Sequence, residues 1–210
     1  MDIVNAQVEG YMRSLLERYD EPVLLEMEAE AERRGFPAVG RMVGVSLELL
    51  ARAIGARRVF ELGSGFGYSA YWFARGVGSE GEVHCTEGDG ANVRQGIGYL
   101  ERAGLADRVA WHEGDALTSF GDVEGGFDIV FVDINKDEYP RAWREASQRI
   151  RVGGLYIADN TIAAGSGNVL GEGPVADAQR EHNRLIAADD RWISFINPTR
   201  EGVLSALRIA

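Results

Sequence analysis

Apolar residues recur at helical spacing over residues 5–20, where Val8, Met12, Leu15, Leu16 and Tyr19 fall on one face. A second helix is predicted over 23–34, acidic outside and stopped by Gly35 and Pro37. Val45, Leu47, Leu49, Leu50 and Ile54 predict a third over 44–54. The period then changes. Short apolar runs at 58–62, 83–87, 109–112, 127–133 and 154–159 are expected strands. Helical stretches at 67–77, 90–103, 138–150 and 174–189 fall between and after them, the last opening at Pro174. Two more strands are expected near 192–196 and 203–209. Alternating strands and helices predict an α/β fold, a mostly parallel seven-stranded Rossmann-like sheet with helices on both faces. The inner strands are apolar on both sides, as buried parallel strands must be. The last two strands are close enough to pair as an antiparallel hairpin. Residues 1–210 read as one domain, with a helical lead-in and cap over 1–55 and an α/β core over 56–210. Small residues over 163–173 predict a loop and a candidate lid.

Charge and composition narrow the partners. The 210 residues carry a net charge of −11, which disfavours nucleic acid and anionic membranes. A lone cysteine, Cys85, excludes an intrachain disulfide and a thiolate metal cluster, and fits a reducing compartment. No apolar run approaches the ~18 residues of a membrane span. Met1–Asn5 show no signal-peptide pattern, so the expected location is the cytoplasm. Glycine is abundant, 27 of 210 residues, which implies functional turns. One count is odd. Of the 22 basic residues only Lys136 is lysine. GC-rich coding explains the many arginines, but not the position of the one lysine.

Ligands of an open parallel sheet sit at the carboxyl ends of its strands. Those ends carry Glu61, Glu87, Asp115, Asp133 and Asp159. Each alone has a structural reading as a helix cap. Five on one edge point to a site. The first loop, Glu61 to Ser69, holds glycines at Gly63, Gly65 and Gly67. That spacing is not the dinucleotide fingerprint, and no phosphate-loop Lys-Ser/Thr follows. An acid just before the glycines repels pyrophosphate and suits a cationic ligand. Glu87 is placed to accept hydrogen bonds from a ribose. Gly114-Asp115-Ala116 is placed against an adenine edge. A cationic nucleoside without phosphates is S-adenosylmethionine.

Glu61–Ser69, Gly114-Asp115-Ala116, Asp133-Ile134-Asn135-Lys136 and Asp159-Asn160 together resemble the cation-dependent O-methyltransferases, the group of the catechol and caffeoyl-CoA enzymes. The resemblance covers roughly residues 24–209 with the same motif order. It implies the class I methyltransferase form of the sheet, and a homodimer. Its cofactor pattern falls on Val39, Glu61, Gly63, Ser64, Ser69, Glu87, Asp115, Ala116 and Asp133. Its metal ligands fall on Asp133, Asp159 and Asn160, and its catalytic lysine on Lys136. Four positions depart from the family pattern. Ala163 stands where Trp is usual, Asn135 precedes the lysine, Glu201-Gly202 replaces Asp-Gly, and Leu204 stands where the mammalian catechol enzymes have glutamate. These changes imply a wider, less aromatic acceptor pocket.

The chemistry agrees with those roles. Three oxygen ligands suit a hard cation, Mg²⁺ first, with Mn²⁺ or Ca²⁺ possible. A vicinal dihydroxy acceptor can chelate such an ion, which promotes loss of its hydroxyl proton. The cation disfavours a charged Lys136, which becomes a proton acceptor beside Asp133. The expected reaction is methyl transfer to a small catechol-like acceptor. Two alternatives stay open: a hydroxylated uridine of transfer RNA as acceptor, and a non-catalytic module that binds S-adenosylmethionine. Trp72, Trp111, Trp143, His84, His112, His182 and Cys85 read as structural, and Tyr139 as the start of a helix.

Overall fold

The computed structural model describes residues 6–165 and 167–210. Asn5, where the first expected helix begins, and Ser166, inside the expected lid, lie outside the described residues. The strands are β1 (Arg58–Leu62), β2 (Glu82–Glu87), β3 (Val109–Glu113), β4 (Phe127–Val132), β5 (Ile150–Ala158), the short β6 (Ala163–Ala164) and β7 (Gly167–Asn168), β8 (Trp192–Asn197) and β9 (Val203–Arg208). The helices are α1 (Ala6–Ser14), α2 (Pro22–Arg34), α3 (Gly40–Ala53), α4 (Tyr68–Gly76), α5 (Gly90–Arg102), α6 (Ala116–Asp122), α7 (Tyr139–Ala146) and α8 (Pro174–Ala187).

Seven strands form one sheet in the order β3-β2-β1-β4-β5-β9-β8. Neighbours from β3 to β5 pair in parallel, and β9 runs antiparallel between β5 and β8. The expected Rossmann-like methyltransferase sheet is therefore present, with its antiparallel final strand. Because β1 pairs with both β2 and β4, the strand order reverses at β1. A crevice opens at such a reversal, outside the carboxyl ends of the strands.

Alternate strand residues feed two cores. Val59, Ile129, Phe131 and Ile157 join Leu47, Trp72 and Phe73 under α3 and α4. Phe60, Val130, Val132 and Tyr156 join Phe120, Tyr139, Trp143 and Ile186 under α6, α7 and α8. Each large side chain so buried contributes about 1.5–3 kcal/mol.

Local pattern misled several expected boundaries, and the helix expected over 138–150 ends at Ala146. The first helix ends at Ser14, and a 3-10 turn at Glu17–Tyr19 swings Tyr19 against Trp72, ring centroids 5.4 Å apart. The third helix starts at Gly40, not at residue 44. Gly44 lies inside it because a Cβ there would sit 2.1 Å from the Trp72 indole nitrogen. Strand β5 begins at Ile150, four residues before the expected start, since Gly153 and Gly154 hide its apolar pattern. The expected lid contains the β6–β7 hairpin, and the Arg180 guanidinium of α8 binds the carbonyls of Val169 and Gly171 beyond it. Among the described residues no helix is long and apolar enough to cross a membrane.

Candidate active site

The crevice at β1 is a cavity of about 860 Å³. Val39, Gly63, Ser64, Ser69, Glu87, Asp115, Ala116, Asp133, Lys136 and Asn160 all line it. Glu61 and Asp159 stand behind that wall, 0% and 3% exposed. The strand topology thus gathers every expected site residue at one edge.

Gly63 is obligatory. Its φ is +84°, and a Cβ would lie 2.4 Å from the Asp133 carbonyl oxygen. Thr86 at the end of β2 fixes the same loop. Its Oγ1 donates to the Glu61 carbonyl at 2.8 Å and accepts from Gly63 N at 3.0 Å. Its own carbonyl accepts from Ser64 N at 2.8 Å. Behind the loop, burial pushes the Glu61 carboxyl up to about 7, against the pull of the Ser69, Ser64 and Cys85 hydrogen bonds. Glu61 Oε1 has no partner.

The next two acids are well supplied. Glu87 Oε1 accepts from Asp89 N at 2.8 Å and Asn92 Nδ2 at 3.5 Å. Asp115 Oδ1 caps α6 by accepting from Thr118 N at 2.8 Å and Thr118 Oγ1 at 2.7 Å. Those bonds hold the Asp115 carboxyl below its usual range.

The ends of β4 and β5 differ. Lys136 Nζ donates to Asp133 Oδ1 and to Tyr139 Oη, both at 2.8 Å. Burial raises the Asp133 carboxyl, and the Lys136 charge opposes the rise. Asp159 is pushed up to about 7, by burial first and then by the charge of Asp133. Its Oδ1 is buried and unpartnered. Asn160 follows in the left-handed region, φ +52°, uncommon for a residue with a side chain. Its carbonyl accepts from Gln179 Nε2 of α8 at 2.5 Å, and Asn183 Nδ2 donates to the Thr161 carbonyl at 2.8 Å.

A second cavity of about 1070 Å³ adjoins the first and shares Phe36, Ala38, Tyr68 and Gly165 with it. Ala163, Glu28, Arg41, Arg200 and Glu201 complete much of its wall. Leu204 is buried in the core, 2% exposed, and lines neither cavity.

The O-methyltransferase family profile matches residues 17–209 of the chain. The chain belongs to the O-methyltransferase family. It is 38% identical over 162 residues to the catechol O-methyltransferase of Mycobacterium tuberculosis, covering 76% of this chain and 73% of that one. It is 29% identical over 179 residues to caffeoyl-CoA O-methyltransferase 1 of Eucalyptus globulus, covering 80% and 73%. Among solved structures, the O-methyltransferase from Bacillus cereus in complex with SAH matches with a TM-score of 0.81 at 30% identity, covering 90% of this chain and 91% of that one.

Within this O-methyltransferase the donor set suits a hard cation. Among the described residues no three or more His, Cys, Asp or Glu cluster as a metal site. The candidate set is instead two carboxylates and an amide, Asp133, Asp159 and Asn160. The two like charges are held together, and Lys136 pairs with Asp133 only, which leaves the buried Asp159 Oδ1 without a partner. A cation fits that deficit.

Four residues of this O-methyltransferase site escaped sequence reasoning. Tyr139 begins α7 as expected, yet its hydroxyl reaches Lys136 and the Asp159 carbonyl. The Lys-x-x-Tyr spacing was its only signal. Phe36, Thr86 and Gln179 had none, because tertiary packing alone brings them to the site. The structural readings stand. Trp72 and Trp143 are buried and Trp111 packs against the core. His84 and His112 bond each other at 3.0 Å, and His182 bonds Tyr156 at 2.9 Å. Cys85 is buried and free.

Proposed function

We propose that this O-methyltransferase is a single domain that moves a methyl group from S-adenosylmethionine to one hydroxyl of a small vicinal dihydroxy acceptor, with a divalent cation, Mg²⁺ first. The observation that carries the reading is the buried, like-charged pair Asp133 and Asp159, the second with an unpartnered oxygen, set beside the only lysine on the cavity wall. S-adenosylmethionine supplies an electrophilic methyl on a sulfonium. Glu61 and Asp133 would give the negative field that suits its charge, Glu87 would offer acceptors for its ribose hydroxyls, and Ala116 and Asp115 would face its base. Gly63, lacking a Cβ, keeps the Asp133 carbonyl within reach of the loop. Val39, Ser64 and Ser69 close the remaining wall.

Asp133, Asp159 and Asn160 would hold the cation. When bound, it supplies a Lewis acid that favours loss of the acceptor's hydroxyl proton. Lys136 Nζ, bonded to Asp133, takes that proton. Holding both reactants in line supplies much of the rate. Relatives named for catechol and caffeoyl-CoA support a vicinal dihydroxy acceptor. Ala163 and the adjoining larger cavity support one bulkier than catechol itself. Exposed Tyr11, Met12 and Leu15 at the first helix support a homodimer, and the single free cysteine supports the cytoplasm.

The test is methyl transfer from labelled S-adenosylmethionine to a panel of catechols, with and without chelator. Transfer should require the metal and vanish in Asp159→Ala. Turnover that persists under chelation and in that variant sinks the mechanism.

A further inference from the structure

Lys136 makes two hydrogen bonds at its amine, and only one of them survives the chemistry unchanged. The bond to Asp133 Oδ1 goes to a carboxylate that the proposed function also assigns to the cation. The bond to Tyr139 Oη goes to a phenol that is not assigned to the cation. Tyr139 is fully buried, and its hydroxyl donates to the Asp159 carbonyl at 2.8 Å, with the Val132 carbonyl 3.3 Å away. The phenol proton is therefore spent on β5, and an oxygen lone pair faces Lys136. The Lys136 amine also lies 4.8 Å from the Tyr139 ring centroid, so its stem runs along that ring. One hydroxyl thus joins the end of β4, the end of β5 and the turn that carries the lysine.

We propose that Tyr139 is the positioning residue of Lys136, and that it aims the Lys136 amine at the acceptor hydroxyl. Two tethers of 2.8 Å, one to Asp133 Oδ1 and one to Tyr139 Oη, fix Nζ on a residue that lines the cavity. Without Tyr139 the amine keeps a single tether, and rotation about the last bonds of the side chain spreads Nζ over positions that face no substrate. Partners that orient a reacting group in this way typically contribute 10–100-fold.

The lone lysine makes the proposal directly readable. Protein labelled with ¹³C at lysine Cε gives one methylene signal, since Lys136 is the only lysine in the chain. In the wild type, held Nζ should leave its two ε hydrogens inequivalent. Tyr139→Phe removes one oxygen and keeps the buried ring. It should merge the two ε-hydrogen signals and lower kcat about 10–100-fold, with the KM of the acceptor and the binding of S-adenosylhomocysteine within about twofold. In a Lys136→Met background the same change should cost less than about twofold, because the group it positions is gone. The inference rests on Lys136 as proton acceptor, and the two can fail separately. Full turnover in Lys136→Met alone removes that reading. A slow Lys136→Met enzyme with Tyr139→Phe near wild type, or with the ε hydrogens unchanged, overturns the role of Tyr139 only. Equal losses from Tyr139→Phe in both backgrounds also overturn it, since the residue would then act on the fold and not on the lysine.

Discussion

The two halves of the strand-end edge carry the same residue types in different electrical condition. Glu87 at the end of β2 and Asp115 after β3 reach solvent, and one oxygen of each is held by neighbouring backbone and side-chain donors. Glu61 and Asp159, at β1 and β5, each keep one buried oxygen without a partner, and both carboxyls are pushed up to about 7. A buried polar atom left unpartnered costs on the order of 1–3 kcal/mol, more when charged. The filled half builds loops that shape the cavity. The starved half holds unspent negative charge, which is what a sulfonium and a divalent cation need. Perturbed carboxyls in a cleft mark function for that reason.

The largest effect that sharpens this contrast falls on the cation of the starved half. Lys136→Arg keeps a positive charge beside Asp133 but removes a group able to release and take a proton. Turnover should fall about 10²–10⁴-fold, with calorimetric binding of S-adenosylhomocysteine retained. Near-normal turnover would return the lone lysine to a matter of composition.

Next comes a test of starvation itself. Asp159 has a folded pKa above its ordinary value of 3.8. The native state then holds the proton more tightly than the unfolded state, so stability is lost as pH rises through about 7. Asp159→Asn should therefore unfold at higher denaturant than the wild type at pH 8, by about 2–4 kcal/mol in metal-free protein. At pH 4 the two should unfold alike, and the variant should not turn over. A variant less stable than wild type at pH 8 would show that Asp159 is satisfied after all.

How far the sequence foretold this contrast depends on the distance between cause and effect. The sheet, its order of motifs and the gathering of Glu61, Glu87, Asp115, Asp133 and Asp159 were legible, because strand period and strand-end position are local patterns. Which acids would be starved was not. Asp115 is filled by Thr118, three residues on, and that much was readable as a cap. Asp159 is starved because Tyr139 and Gln179 bond only the backbone of its turn and leave its side chain alone. The start of α3 was missed for a similar reason, since Gly44 answers to Trp72 on another helix.

A smaller effect separates Glu61 from a purely structural acid. With its carboxyl near 7, Glu61 is largely protonated at pH 6 and ionised at pH 8. Its attraction for a cationic ligand should appear only on the alkaline side. Affinity for S-adenosylmethionine should rise about tenfold from pH 6 to 8 in calorimetry, which is about 1.4 kcal/mol. Glu61→Gln should flatten that rise, and S-adenosylhomocysteine, which lacks the sulfonium charge, should show less of it. An equal slope in wild type and variant would place the titrating group elsewhere.

The smallest effect belongs to the filled half, and it is the one that can break the comparison. Asp115 lines the cavity, yet its Oδ1 is committed to Thr118 N and Oγ1 at the start of α6. If its work is the cap, Asp115→Ala should cost about 1 kcal/mol of stability. Asp115→Asn, whose side-chain oxygen also caps well, should recover most of that loss. Both variants should keep turnover within about threefold, because nothing in the cap needs a full negative charge. The pH profile should not move either, since the Asp115 carboxyl lies below its usual range and stays ionised in the native protein. A collapse of turnover in Asp115→Asn with stability intact would mean that the charge of Asp115 acts on a ligand. The edge would then divide by distance from the reacting methyl, and not by the supply of hydrogen bonds.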